Sequence, residues 1–232
     1  MIEVRNVVKR FGSKTILRGL NFDAQPGEFV ALLGPNGAGK TTFLRILASL
    51  SQASMGRVRV AGYDLPHQSA AVRARLGVVS HLPLLYGDLT AEENLRFYGR
   101  LYSVAGLDER ITEVLEMTGL VARRRDLVRT FSRGMQQRLA IGRAVLHDPD
   151  VILFDEPYTG LDQDASIMLD QLLRTVAAQG RTVVMTSHDL ARAEEVATRF
   201  DILSRGSITA SATRRQLGKS NLLAFYKHAL AG

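Results

Sequence analysis

Apolar and polar side chains alternate at the start of the chain, over residues 2–8, and this period of two is typical of a half-buried strand. Further short apolar runs bounded by turn residues predict more strands. The turn signal is clearest at Gln25-Pro26-Gly27-Glu28. The additional strands predicted in the first third of the chain cover residues 16–23, 28–33, 56–62 and 76–80.

The apolar spacing changes to a helical one from about Thr90 to Leu146. Thr90 followed three residues later by Glu93 is a capping box, which predicts the start of the first helix of this block. A second helix is predicted over about 108–118, and a third from near Ser132 to just before Asp148-Pro149.

Strand character then returns, so the chain reads as an α/β core interrupted by a helical block. From Ser211 onward we predict one or two short helices. The later strands are predicted at residues 151–154, 182–186 and 200–203, with helices around 164–178 and 189–198 between them.

Composition excludes several classes of protein. The 232 residues are 46% hydrophobic and contain no cysteine, which excludes disulfides, thiolate chemistry and cysteine-based zinc sites. No apolar stretch approaches the ~20 residues that span a bilayer, and the N-terminus does not resemble a signal peptide, so a cytosolic protein is expected. The net charge of +7 suits acidic lipid headgroups, nucleic acid or a nucleotide. We expect no nucleic-acid partner, since the run Arg123-Arg124-Arg125 is too short for a binding arm.

The strongest chemical signal follows the apolar run at residues 29–33. Residues 34–42 match the G-x-x-x-x-G-K-[ST] phosphate loop, whose glycines let backbone N–H groups converge on an anion. The helix predicted at about 40–50 adds its positive N-terminal end. Lys40 is expected to reach the β- and γ-phosphates, and Thr41 to ligate Mg²⁺. The predicted nucleotide-binding residues are Gly34, Pro35, Asn36, Gly37, Ala38, Gly39, Lys40, Thr41 and Thr42.

Two carboxylates, Asp155 and Glu156, follow the apolar run at residues 151–154. A buried parallel strand is continuously apolar, and its carboxyl end is where α/β sheets bind ligands. Asp155 is therefore a candidate Mg²⁺ ligand. Glu156 is the candidate base that orients and deprotonates the attacking water. Without other motifs, Asp155 and Glu156 would be interpreted as surface acids at the end of a strand. The phosphate loop earlier in the chain favours a catalytic interpretation.

These motifs and their order along the chain resemble those of the ATP-binding subunits of ABC transporters. The resemblance extends over nearly the whole chain. Thr159-Gly160-Leu161-Asp162 resembles the D-loop, and Thr186-Ser187-His188-Asp189 resembles the H-switch. The resemblance implies that His188 contacts the γ-phosphate, that Asp162 belongs to the nucleotide site, and that Phe11 stacks on adenine. The alternative for Phe11 is a place in the core.

The same resemblance implies the fold and the partners. We expect a P-loop NTPase (RecA-like) α/β core with an N-terminal antiparallel β region, forming a single ATPase domain over 1–232 with a helical subdomain inserted at about 88–146. The chain is expected to hydrolyse ATP with Mg²⁺, using Lys40, Glu156 and His188 as catalytic residues. It is expected to form a head-to-tail homodimer. It should bind integral membrane transporter subunits through a groove around residues 82–102, at the cytoplasmic face of the inner membrane.

Two motifs depart from the family pattern. Where the family signature is Leu-Ser-Gly-Gly-Gln, residues 131–135 read Phe-Ser-Arg-Gly-Met. Ser132 and Gly134 remain, and they are expected to meet the γ-phosphate of an ATP bound to the partner subunit. His81 stands where the family usually has the glutamine of the Q-loop, and it is predicted to lie at the nucleotide site, with loop packing as the alternative.

The transported molecule is the least determined part of the prediction. Residues 80–98 and 155–162 are similar to the haem-exporter ATP-binding subunit of cytochrome c maturation, which implies haem export. The signature at residues 131–135 also resembles exporters of drugs or polysaccharides. A soluble ABC ATPase of DNA repair or translation, and a P-loop kinase or GTPase, are rival interpretations. The first usually carries zinc cysteines, a long coiled coil or two ATPase halves, and a GTPase needs an Asn-Lys-x-Asp motif, which we do not find in this chain.

Overall fold

The computed structural model describes residues 1–80, 82–218 and 221–231. Its strands form two sheets, and α-helices cover them. In chain order they are β1 (Ile2–Phe11), β2 (Lys14–Ala24), β3 (Phe29–Leu33), α1 (Lys40–Leu47), β4 (Met55–Val60), β5 (Tyr63–Leu65), α2 (Ser69–Ala74), β6 (Leu76–Val79), α3 (Ala91–Leu101), α4 (Leu107–Met117), α5 (Arg133–Val145), β7 (Val151–Asp155), α6 (Gln163–Ala178), β8 (Thr182–Ser187), α7 (Leu190–Val196), β9 (Arg199–Ser204), β10 (Ser207–Thr213), α8 (Arg214–Leu217) and α9 (Leu222–Ala231).

The two sheets differ in strand direction. The first is antiparallel, with strand order β2-β1-β4-β5. The second has the order β10-β9-β3-β8-β7-β6, and all its neighbours pair in parallel except β10 with β9. Parallel strands need covering on both faces, which is why the continuously apolar runs of the sequence form this second sheet.

Strand β3 shows how the core is divided. All five of its residues are buried, and they alternate between two apolar clusters. Phe29, Ala31 and Leu33 pack with the helices α3 to α7 and α9, whereas Val30 and Leu32 pack with α1 and the antiparallel sheet. Helix α1 therefore lies between the two sheets, which fixes the start of that helix at the edge where β3 ends.

The helices α3, α4 and α5 occupy the segment between β6 and β7. The predicted capping box is present: the Thr90 hydroxyl accepts from the Glu93 N–H at 3.2 Å, and Glu93 accepts from the Thr90 N–H at 2.8 Å. No helix within the described ranges is long and apolar enough to cross a membrane.

Several elements differ from the sequence prediction. Ser211 begins no helix, because residues 207–213 form β10, which pairs with β9, and the helical tail starts only at Arg214. Strands β1 and β2 are longer than predicted, and β5 and α2 were not predicted. Strand β10 forms a hairpin with β9 across Arg205-Gly206, and β5 forms one with β4 across Ala61-Gly62. Pairing with the preceding strand, more than the polar pattern of these short stretches, therefore decides that they are strands.

Ionic contacts join α3 to the segment before α5. The carboxylate of Glu92 accepts from Arg124 at 2.5 and 3.0 Å and from Arg96 at 2.8 Å. Hydrogen bonds from Arg124, and then from Arg96, lower the pKa of Glu92 from 4.5 to about 2. This folded-state value lies below the unfolded one, so the contribution to stability is present at neutral pH and is lost as the pH falls from about 4.5 to about 2.

We predict that Glu92→Gln lowers the free energy of unfolding at pH 7 by about 1 kcal/mol, since a charged acceptor between two guanidinium groups is lost. The difference from wild type should shrink as the pH falls below 4.5, and urea unfolding at several pH values measures it. Glu113→Gln is the control, because that carboxylate is 62% exposed beside Arg110 and should matter less. A deficit that stays constant down to pH 3 would contradict the assignment.

Candidate functional site

Three neighbouring parallel strands end at one edge of the second sheet. The pairing of β3 with β8 sets Leu33 opposite Ser187, and the pairing of β8 with β7 sets Asp155 opposite Thr186. The segments that follow these strands are the phosphate loop, His188 and Glu156. In-register pairing therefore brings three separate stretches of sequence together at the carboxyl edge, where ligands bind in α/β folds.

The phosphate loop needs glycine at its bends. Gly37 and Gly39 have φ values of 79° and 113°, in the left-handed region. A Cβ on Gly34 would lie 2.1 Å from the carbonyl oxygen of Leu203, so no side chain fits there. Gly39 also precedes α1 without a side-chain cap, and the first N–H groups of that helix remain available to an anion.

Lys40 is buried although it is charged, with 7% exposure. Its Nζ donates to the carbonyl oxygen of Gly34 at 2.7 Å and lies 3.6 Å from Oε1 of Glu156. The ammonium group is therefore held at the opening of its own loop, directly beside the carboxylate that follows β7. This arrangement suits a cation that neutralises phosphate charge.

One carboxylate oxygen of Asp155 joins two strands and a helix. Oδ1 accepts from the Thr41 hydroxyl at 3.1 Å and from the Thr186 hydroxyl at 2.8 Å. Thr41 lies in the first turn of α1, so the hydrogen bond connects the phosphate loop to the end of β7. A carboxylate and a hydroxyl in contact form the oxygen-rich donor set that Mg²⁺ binds.

Glu156 has an uncommon backbone conformation, with φ of 53°. Its N–H donates to both the carbonyl oxygen and the hydroxyl of Thr186, at 3.2 and 3.1 Å, which fixes it in this conformation. Its Oε2 lies 2.7 Å from Nδ1 of His188 and accepts from the backbone N–H of the same residue at 3.3 Å. The imidazole and the carboxylate thus orient each other at the end of the sheet.

Lys40, Thr41, Glu156 and His188 line one cleft of about 440 Å³ together with most of the phosphate loop. The described residues that border it include several that sequence reasoning missed, namely Lys14, Ile16 and Thr159. Thr186 was also missed as a site residue, and only strand pairing reveals it. The cleft residues predicted from sequence are Pro35, Asn36, Gly37, Ala38, Gly39, Lys40, Thr41, Thr42, Glu156 and His188.

Six of the described predicted site residues lie outside the lining of this cleft: Phe11, Gly34, Ser132, Gly134, Asp155 and Asp162. Phe11 is 55% exposed, with Nζ of Lys9 4.6 Å above its ring, so the core alternative for this residue is wrong. Ser132 caps α5 by accepting from Met135 N–H at 3.3 Å, and Asp162 caps α6 by accepting from Ala165 N–H at 2.8 Å. His81 lies outside the described residues.

The degenerate signature packs against the D-loop segment of the same chain. A Cβ on Gly160 would lie 2.7 Å from the guanidinium carbon of Arg133, and one on Gly134 would lie 2.9 Å from Cβ of Ala165. Gly160 has φ of 74°, which glycine adopts readily. The starts of α5 and α6 therefore approach closely, and Arg133 covers the turn that precedes α6.

Comparison with known proteins agrees with this geometry. The ABC transporter family model matches residues 17–159. The chain belongs to the ABC transporter family. It is 36% identical to the linearmycin resistance ATP-binding protein LnrL of Bacillus subtilis, over 94% of this chain and 70% of that protein. It is 39% identical to the Nod factor export ATP-binding protein I of Paraburkholderia xenovorans, over 88% of this chain and 68% of that protein.

Solved structures give the same result. An ATP-binding subunit of an ABC transporter superposes with a TM-score of 0.88 at 30% identity, covering 99% of both chains. A dimeric ATP-binding cassette in a post-hydrolysis state with ADP and Pi superposes with a TM-score of 0.82 at 29% identity, covering 92% of this chain and 98% of that one. The predicted P-loop NTPase fold is confirmed. The chain is the ATP-binding subunit of an ABC transporter and an ABC ATPase.

We predict that Thr186→Val lowers the ATPase kcat about tenfold, because Asp155 and the Glu156 N–H each lose a hydroxyl partner at the sheet edge. Steady-state turnover of the purified chain measures the effect. Thr186→Ser keeps the hydroxyl and should keep most of the activity. Equal turnover in the valine and serine variants would exclude this role for the hydroxyl.

Proposed function

We propose that this subunit binds Mg-ATP in the cleft at the ends of β3, β8 and β7 and powers export of a drug-like or Nod-factor-like compound. The observation that carries the proposal is the meeting of Lys40, Thr41, Glu156 and His188 in one cleft, with Asp155 hydrogen-bonded to Thr41 beside it. The names of the relatives, which concern linearmycin resistance and Nod factor export, favour this class of cargo.

Each residue has a role that fits its contacts. Lys40 and the N–H groups of residues 34–42 hold the phosphates, while Thr41 and Asp155 hold Mg²⁺. The ion supplies charge stabilisation to the phosphoryl group when bound. Glu156 deprotonates the attacking water, and His188 orients Glu156 and contacts the γ-phosphate. The exposed ring of Phe11 stacks on adenine.

A homodimer completes the proposed site. Ser132 and Gly134 lie outside the cleft of their own chain, and in a head-to-tail dimer they and Asp162 meet the ATP of the partner. The existence of dimeric solved structures among the similar cassettes supports this arrangement. We assign the chain to one ATPase domain over 1–232, in which the helices at about 88–146 form a subdomain that carries the signature.

Integral membrane subunits are the second proposed partner, which places this chain at the cytoplasmic face of the inner membrane. Exposed apolar side chains lie along the segment after β6 and on α3, including Leu82, Leu84 and Leu101, which are 57%, 55% and 69% exposed. A cavity of about 280 Å³ reaches from Leu82 and Leu84 to Thr41 and Asp155. An apolar segment of a membrane subunit bound there would adjoin the nucleotide site.

Haem is the second candidate cargo. It rests on the sequence of residues 80–98, in which Asn94 is fully buried and bonds the backbone of Tyr86 through both its amide oxygen and nitrogen, at 2.8 and 2.9 Å. This segment shapes the apolar surface rather than the ATP cleft. Cargo identity is tested by deleting the gene and measuring linearmycin-type drug sensitivity against cytochrome c content.

We predict that Glu156→Gln retains ATP binding but lowers turnover by about 10²–10⁴-fold, because an amide cannot accept the proton of water. The variant should accumulate as an ATP-bound dimer, which size-exclusion chromatography with Mg-ATP detects. Lys40→Ala is the control: it should bind ATP weakly and form no dimer. Turnover near wild type in Glu156→Gln would exclude the proposed base.

We predict that Leu82→Asp and Leu101→Asp each abolish co-purification with the membrane subunits, because a carboxylate cannot be buried in an apolar contact without cost. Met55→Asp is the control, since Met55 is 60% exposed on the antiparallel sheet and does not line the cavity beside Leu82 and Leu84. Circular dichroism verifies folding of each variant. Retained co-purification in both leucine variants would place the docking surface elsewhere.

A further inference from the structure

The segments that carry Glu156 and His188 share one buried carboxylate behind the cleft. Asp170 lies on α6 and is 6% exposed. Its Oδ1 accepts from the hydroxyl of Tyr158 at 2.7 Å, and its Oδ2 accepts from Nη1 of Arg192 at 2.8 Å. Tyr158 is two residues beyond Glu156, and Arg192 is four residues beyond His188. Asp170 therefore contacts both segments without lining the cleft.

Tyr158 links Asp170 to the Glu156 turn. Burial, together with the Asp170 carboxylate, raises the pKa of Tyr158, so the hydroxyl stays protonated and donates. The Thr159 N–H donates to the carbonyl oxygen of Glu156 at 3.2 Å, and the Leu161 N–H donates to that of Tyr158 at 3.1 Å. The ring of Tyr158 packs on the helical core. A shift of the ring is therefore transmitted to the turn.

Arg192 links Asp170 to the start of α7. The Asp189 side chain caps this helix by accepting from the Arg192 N–H at 3.1 Å. His188 immediately precedes the cap. The guanidinium of Arg192 thus fixes the first turn of α7 against α6, and with it the position of the imidazole.

We propose that Asp170 is a positioning residue for ATP hydrolysis, which holds the Glu156 turn and the His188 helix start in one arrangement. This inference rests on the proposed roles of Glu156 and His188. Moving either segment requires breaking a hydrogen bond to a buried carboxylate, which is costly. The base also has a left-handed backbone conformation that persists only where its surroundings fix it.

A second ion pair between the same helices provides a matched control. Nη2 of Arg174 on α6 donates to Oε2 of Glu195 on α7 at 2.6 Å. Both side chains are more than half exposed, at 53% and 59%, and within the described residues the guanidinium of Arg174 donates to the carbonyl oxygen and carboxylate of Glu195 alone. It joins α6 to α7 but cannot position the catalytic groups.

The test compares steady-state ATPase kinetics of the full chain and its variants. Asp170→Asn and Tyr158→Phe should each lower kcat about tenfold, because small misplacements of catalytic groups are costly. KM for ATP should stay within about twofold, since the phosphate loop is unaffected. Glu195→Gln should match wild type. The double variant Tyr158→Phe with Asp170→Asn should lose less than the product of the two single losses, because both remove the same contact.

The outcomes separate the two proposals. If Glu156→Gln retains turnover, the proposed base is wrong. If Glu156→Gln is inactive while Tyr158→Phe and Asp170→Asn keep wild-type kcat, Asp170 does not position the site. A rise of KM in step with the fall of kcat also overturns the inference. Should Asp170→Asn fail to fold by circular dichroism, Tyr158→Phe decides alone, because it removes only a hydroxyl.

Discussion

The in-register parallel pairing of β3, β8 and β7 is the constraint on which the site depends. It places Leu33 beside Ser187 and Asp155 beside Thr186, so that the three following segments meet at one edge. Because side chains alternate between faces, a slip of one residue in either pairing would move these groups to the opposite face. Alternate residues of the three strands pack into two different apolar clusters, and the fit of the side chains on both faces thereby determines the geometry of the charged groups.

Local chemistry explains what the sequence could predict. The phosphate loop and the Thr90 capping box are formed by residues a few positions apart, so their patterns are visible without knowledge of the rest of the chain. The role of Thr186 depends on pairing with a strand about 30 residues earlier in the chain, whereas β10 depends on the hairpin that it forms with β9. The contacts of Asp170 with Tyr158 and Arg192 cross from one helix to two others. No local pattern contains such information, and burial of a carboxylate becomes meaningful only once its partners are known.

The signature illustrates a sequence departure that the backbone accommodates. Arg133 stands where the resembling family has glycine, yet it occupies the first position of α5, and its backbone needs no left-handed conformation. The positions that have no space for a side chain are Gly160, which lies under the Arg133 guanidinium, and Gly134, which faces Ala165. The Arg133 side chain thus couples the start of α5 to the turn before α6.

Three supports fix the Glu156 turn from different directions. Thr186 on β8 accepts from the Glu156 N–H, and His188 contacts the Glu156 carboxylate. Tyr158 connects the turn that follows to Asp170 through a hydrogen bond. The left-handed conformation of Glu156 is therefore maintained by hydrogen bonds that originate in the strand, the loop and the helix behind it. A movement of α6 or α7 would reach Glu156 directly through this network, whereas it would reach Lys40 and Thr41, which belong to α1, only through their contacts with Glu156 and Asp155. In the proposed assignment of roles, α1 holds the phosphates and the segments supported by α6 and α7 hold the groups that act on water, so that a displacement of α6 and α7 alone would alter turnover more than nucleotide affinity.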